Sequence, residues 1–172
     1  MRHTVYLGLG TNIGDRAANL EAARLELEPG VHIQAASSIY ETAPWGYLDQ
    51  PDFLNQVLIG ETSLEPAHLI VFIKQLEREA GRQPTFRNGP RIIDIDILFI
   101  DDLVLSLPGL ELPHPRIEER AFVLVPLAEL APNLLHPTLR RSISELLKEI
   151  DPSGVRRLYP ASLARPSNIN GS

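Results

Sequence analysis

Nine consecutive residues, Ile92-Ile93-Asp94-Ile95-Asp96-Ile97-Leu98-Phe99-Ile100, are apolar and largely β-branched except for two aspartates spaced two apart. A run of this length and composition reads as a strand, and the period of two puts Asp94 and Asp96 on one face, about 6–7 Å apart at Cβ. Paired carboxylates on a hydrophobic strand do not both stay charged unless a cation joins them. Their spacing suits one hard cation or a metal pair about 3.5–4 Å apart. A half-exposed strand with idle, solvated aspartates is the plain alternative.

The segment before the strand tilts the choice. Gly81 to Arg91 carries Arg82, Arg87 and Arg91 among glycines and prolines, with no acid between Glu79 and Asp94. The chain as a whole is acidic, with a formal net charge of −6, so this is a local reversal of sign. Glycine and proline make it a loop, and arginine forks match phosphate oxygens. A cationic loop leading into a carboxylate strand suits a metal–polyphosphate ligand.

The 172 residues suffice for one domain with a real core. There is no cysteine, which excludes disulfides and thiolate chemistry and fits a cytoplasmic location. No signal peptide or membrane span is expected. A pI near 5.3 argues against a broad nucleic-acid surface. No subunit partner is implied, and a monomer acting on small molecules is the expectation.

Periodicity lays out the elements. Val5–Leu9 reads as a strand. Asp15 caps a helix to about Glu28, with Leu20, Ala23 and Leu27 on one face. Val31–Thr42 reads as a second strand and Phe53–Thr62 as a third, separated by a loop containing Trp45. A helix follows to Ala80, striped by Leu69, Phe72, Ile73 and Leu76. The aspartate strand comes next, then a short hairpin from Asp101-Asp102 through Leu105. A short helix near Arg116–Arg120, an apolar run Phe122–Leu127 and a helix near Ile143–Ile150 complete the chain. The core order is β-α-β-β-α-β, an α+β ferredoxin-like sandwich with a mainly antiparallel sheet and helices on one face. Residues 1–150 are expected to be a single catalytic domain and 151–172 an extended C-terminal tail adding little stability.

Several other residues suit a ligand. Gly8-Leu9-Gly10-Thr11-Asn12-Ile13-Gly14 misses the dinucleotide fingerprint by one residue and reads as a strand-to-helix turn. His114, between Pro113 and Pro115 and near Arg116 and Arg120, suits a phosphate donor. Asn55 offers a two-way amide near the sheet interior, matched to a heterocycle edge. Phe53 and Phe122 can be core residues or can stack a flat ring. Trp45 lies in a long loop that reads as a lid.

These motifs in succession resemble the 6-hydroxymethyl-7,8-dihydropterin pyrophosphokinase family of folate biosynthesis, from about Thr4 to Leu147. The pieces are the Gly8–Gly14 run, Tyr40-Glu41-Thr42-Ala43-Pro44, Gln50-Pro51-Asp52-Phe53-Leu54-Asn55, Glu77–Arg82, Gly89–Leu98, Pro113–Arg116 and Arg120–Leu124. The resemblance implies transfer of pyrophosphate from ATP to the pterin hydroxymethyl group, with release of AMP. It implies two Mg²⁺ ions on Asp94 and Asp96, with Arg82 and Arg91 among the catalytic groups. Nucleotide contacts fall on Glu77, Arg82, Arg91, His114 and Arg120. Pterin contacts fall on Thr42, Ala43, Trp45, Phe53, Asn55 and Phe122. The chain departs from the family at Asn88, Pro84 and Gly109, where members carry Trp, Arg and, in some, a basic residue. Arg87 is therefore expected to take more of the contacts over ATP. Two other readings are a non-catalytic ferredoxin-like metal–nucleotide binding module and a two-metal nucleotidyltransferase. The first would form no AMP, and the second would release pyrophosphate.

Overall fold

The computed structural model describes residues 1–44, 48–81 and 92–160. Arg82, Arg87, Arg91 and Trp45, named above as candidate site residues, lie outside the described residues, as does 161–172.

Strand β1 is His3–Thr11, and its burial alternates residue by residue. Val5, Leu7 and Leu9 enter a core shared with Leu20, Ala23 and Leu27 of helix α1, Arg16–Leu27. Asp15 caps that helix as expected, its Oδ1 accepting the Ala18 N–H at 3.0 Å. The expected second strand is two, β2 (His32–Ala36) and β3 (Ile39–Thr42). Serines make the break: Ser37 Oγ accepts the Val57 N–H at 2.9 Å, and the Ser38 N–H is taken by the Glu129 carboxylate. Side-chain bonds of this kind replace the ladder locally. Strand β4 is Phe53–Thr62 and helix α2 is Pro66–Glu79, with Leu69, Ile73 and Leu76 buried.

Strand β5, Asp94–Ile100, pairs with β1, and β1 pairs with β4; both pairings are antiparallel. The sheet order is β5-β1-β4-β3, with β2 also on β4. Gly60 of β4 has no room for a side chain. An added Cβ would lie 2.7 Å from the His32 carbonyl oxygen and 2.7 Å from Val31 Cγ1. Gly60→Ala is expected to destabilise the fold by about 1–3 kcal/mol, read from urea midpoints, because the obstacle is backbone.

The remaining chain corrects three expectations. The hairpin lies further along, as β6 (Leu105–Leu107) and β7 (Leu110–Leu112), since Gly109 at φ +77° supplies its turn. The run at Phe122–Leu127 is inside helix α3, Ala121–Leu130, which follows a 3-10 turn at Ile117–Glu119. With α4, Ile143–Leu147, it covers part of the second face of the sheet, so helices pack on both faces. Val57, Leu98 and Phe99 bury against Val123, Leu124, Leu127 and Ile143 there. A bulge enables this: Tyr6 pairs with Phe99 and Leu7 with Ile97, leaving Leu98 extra, so Leu98 and Phe99 share a face. Finally, Val155–Tyr159, expected to trail away, is strand β8, paired with β3 at the sheet edge. The ladder with β3 holds it, and Arg156 meets Glu41 across that pairing at 2.7 Å. No helix among the described residues is long and apolar enough to cross a membrane.

Candidate active site

The second helical layer stops short of one end of the sheet, and the gap is a cavity of about 140 Å³. Its floor comes from β5, β1 and β4, the three neighbouring strands at one side of the sheet. On β1, Gly8 and Gly10 face it, opposite Asp96 and Asp94 of β5 on one side and Val57 and Asn55 of β4 on the other. Thr42, Ala43 and Phe53 close one end, and Arg120, Phe122 and Val123 from the start of α3 close the top.

Seven of these residues, Gly8 and Gly10, Phe53, Asn55 and Val57, and Asp94 and Asp96, meet by one rule, the period of two along three paired strands. Gly8 and Gly10 were not anticipated as site residues; they lie within a strand, not in a turn. The signal was available, because glycines two apart share a face just as the aspartates do. Glycine inside a central strand marks close approach of another group.

The hydrogen bonds set the polarity of the pocket. Asn55, only 6 % exposed, donates from Nδ2 to Thr42 Oγ1 at 2.8 Å. A Cβ built on Gly10 would lie 3.5 Å from Asn55 Oδ1, so that oxygen lies over the floor. Asn55 therefore keeps an acceptor and a second N–H for a ligand. The Phe53 and Phe122 rings supply apolar wall, and the Arg120 guanidinium lies 5.7 Å from the Phe122 ring centroid.

Asp96 also borders a second, more polar cleft of about 380 Å³, lined by Lys74, Ile97, Glu111 and His114 among others. Burial, and next the charge of Asp94, hold the Asp96 carboxyl well above the usual carboxylate range, against the pull of Arg120. The His114 ring is placed by its own backbone, whose N–H donates to the Leu98 carbonyl at 2.9 Å. Its Nδ1 lies 2.7 Å from the Pro115 carbonyl, which can only accept, so Nδ1 carries the proton. Nε2 then points toward Asp96 Oδ2, 3.9 Å away. Burial pushes this imidazole below its ordinary value.

Glu77 lines neither cavity. It is 1 % exposed, and its Oε2 accepts the Ile95 N–H at 3.0 Å. It thereby grips the outer edge of β5 between the two aspartates. Lys74, unanticipated, lies 3.2 Å from Glu77 Oε1.

No group of three or more His, Asp or Glu side chains able to hold a metal is present among the described residues. Two carboxylates on one face, one of them resisting ionisation, nevertheless fit a cation that takes its other ligands from water and phosphate. That is the habit of Mg²⁺, which seldom has an all-protein cage.

Residues 6–132 match the family described as 7,8-dihydro-6-hydroxymethylpterin-pyrophosphokinase. The chain belongs to this family. It is 45 % identical over 146 residues to a 2-amino-4-hydroxy-6-hydroxymethyldihydropteridine pyrophosphokinase of Aquifex aeolicus, covering 85 % of this chain and 91 % of that one. The enzyme of the same name from Methylorubrum extorquens is 45 % identical over 155 residues, covering 89 % and 97 %. Among solved structures, wild-type Plasmodium falciparum HPPK-DHPS with STZ-DHP superimposes at a TM-score of 0.70 with 18 % identity. That match covers 87 % of this chain and 43 % of the other, and it shows a shared α+β, ferredoxin-like fold.

Proposed function

We propose that this chain is a pyrophosphokinase that moves the terminal pyrophosphoryl group of ATP onto the hydroxymethyl oxygen of 6-hydroxymethyl-7,8-dihydropterin, releasing AMP, in folate biosynthesis. The observation that carries the site assignment is the position of Asp96, in a wall common to two dissimilar cavities. The first, with its amide and two phenylalanines, suits a flat heterocycle. The second, with Lys74 and His114, suits a polyphosphate. A carboxylate between them lies where a phosphoryl group would cross.

In this reading Asp94 and Asp96 hold two Mg²⁺ ions. When bound, the cations neutralise charge on the phosphate oxygens. The protein's own task is alignment. Asn55 and Thr42 grip the edge of the pterin, and Phe53 and Phe122 hold its plane, so the hydroxymethyl oxygen is kept toward the aspartate strand. Arg120 adds positive charge at the pocket mouth, where phosphate charge shifts in the transition state. His114 lines the second cleft, and its Nε2 would donate to a phosphate oxygen once the ring takes up a second proton, which a bound polyphosphate favours. Glu77 acts by holding β5 in place. Arg82, Arg87 and Arg91 complete the nucleotide side, and Ala43 and Trp45 the pterin side. The same reading carries a cytoplasmic monomer acting on free small molecules, in keeping with the acidic chain and its lack of cysteine.

The deciding experiment incubates the protein with Mg-ATP and the reduced hydroxymethylpterin and identifies the nucleotide product. AMP, formed only with both pterin and Mg²⁺ present, is the expected result. ADP, free pyrophosphate, or no turnover would overturn the reading.

A further inference from the structure

The segment that borders the pterin cavity leaves the sheet after Thr42 and returns at Phe53. A charge cluster joins its two ends. Glu41, beside Thr42 on β3, accepts from Arg16 Nη1 through Oε2 at 2.8 Å and from Arg156 Nη2 through Oε1 at 2.7 Å. The same Arg16 nitrogen donates to the Asp52 carbonyl at 3.0 Å, and Arg156 lies 3.8 Å from Asp52 Oδ2. The outgoing and returning limbs are thus held by the start of α1 on one side and by β8 on the other. Asn12 adds a third tie to the returning limb, donating to Gln50 Oε1 at 2.8 Å and to the Pro51 carbonyl at 3.1 Å.

We infer that Arg16 and Arg156, acting through Glu41, are positioning residues for pterin recognition, and that the C-terminal strand β8 belongs to the apparatus that shapes the pterin pocket. The inference rests on the assignment of the Thr42–Asn55 cavity to the pterin. None of the three lines that cavity. Two arginines and two acids balance, so the cluster's effect is geometric and not a field on the ligand. Thr42, whose hydroxyl accepts from Asn55, and Phe53, whose ring forms the wall, are the last partners of the β3–β4 ladder, and the cluster braces that open end. Small displacements of such groups cost binding steeply. An ordinary surface ion pair would contribute little to anything. The distinguishing feature here is that each Glu41 oxygen has its own arginine and that both arginines also reach Asp52.

Arg156 is the clean probe, since its side chain is 67 % exposed and its loss leaves no buried gap. Arg156→Ala is expected to raise the KM for the pterin about fivefold, with kcat and the KM for ATP each changed by less than about twofold. Arg16→Ala should do the same more strongly, because it frees both limbs. Arg156→Lys, which retains a cation within reach of Glu41, should recover most of the pterin KM. Asn55→Ala runs alongside as the control for the site itself. A pterin KM unchanged in both arginine variants while Asn55→Ala weakens pterin binding overturns the positioning role and leaves the site standing. Parallel loss of all three kinetic parameters with a lowered Tm, or failure of the lysine to rescue, also overturns it, reducing the cluster to a fold contact. An Asn55→Ala variant that binds pterin normally removes the cavity assignment on which the inference rests.

Discussion

Asp94→Asn and Asp96→Asn, made separately, are each expected to lower kcat by about a thousandfold at saturating Mg²⁺ while leaving the fold intact. Each swap keeps shape and removes one negative charge. Both positions face Gly8 and Gly10 across the β1–β5 pairing, so no side chain of β1 on that face can take over as a ligand. Among the described residues the other acids close by are Glu77, whose Oε2 is committed to the Ile95 N–H, and Glu111 in the lining of the second cleft; neither lies on the strand face that carries the pair. Stability should separate the metal role from a structural one. Without Mg²⁺ the Asp96 carboxylate is held beside the charge of Asp94 in a partly dry wall, so Asp96→Asn should be at least as stable as the wild type. With Mg²⁺ the wild type should gain Tm and the variants should gain less. Near-wild-type turnover in either variant, or an equal Mg²⁺-induced gain in Tm, would remove the pair as metal ligands.

The parts of the structure legible in the sequence are those governed by strict periods. Phe53–Thr62, set between Pro51-Asp52 and Ser63, forms β4 with the expected boundaries. The period of two puts Asp94 and Asp96 on one face, and the family motifs supply Thr42, Phe53, Asn55 and Phe122, which line the same cavity; Arg120, expected among the nucleotide contacts, lines it as well. Where two physical signals compete, the reading fails. Phe122–Leu127 is apolar on every side, so its pattern cannot separate a strand from a buried helix, and the second helical layer went unseen. Val31–Thr42 alternates well, but the Ser37 and Ser38 bonds to Val57 and Glu129 depend on chain far away. Val155–Tyr159 carries two arginines and looks solvated, because its stabilising acid, Glu41, is 115 residues earlier. Glu77 was placed on the nucleotide side, whereas its carboxylate holds the strand that carries the aspartates.

Gly10→Val should be the most selective single blow to pterin binding. Glycine usually weakens a strand, and valine favours one, so on propensity alone the substitution should stabilise β1. The space supports that: a Cβ at position 10 would meet Asn55 Oδ1 at 3.5 Å and Phe53 Cδ1 at 3.8 Å, both ordinary contacts. The valine methyls, however, would rise from the floor of a cavity of only about 140 Å³, between the amide and the ring assigned to the pterin. Overpacking of a fitted space costs about 1–3 kcal/mol, so affinity for the pterin should fall about 5- to 150-fold. ATP binding should be unchanged, because Gly10 does not line the second cleft. Gly8→Ala gives the graded comparison. Its Cβ would meet Leu98 at 3.5 Å, at the inner end of the floor, and it should cost the pterin less. Titration of the pterin into both variants, with Tm and ATP affinity measured on the same samples, separates blockage from unfolding. If Gly10→Val is stable and binds the pterin as the wild type does, the ring lies elsewhere. The shared face of Gly10, Asn55 and Asp94 would then be architecture and not a binding site.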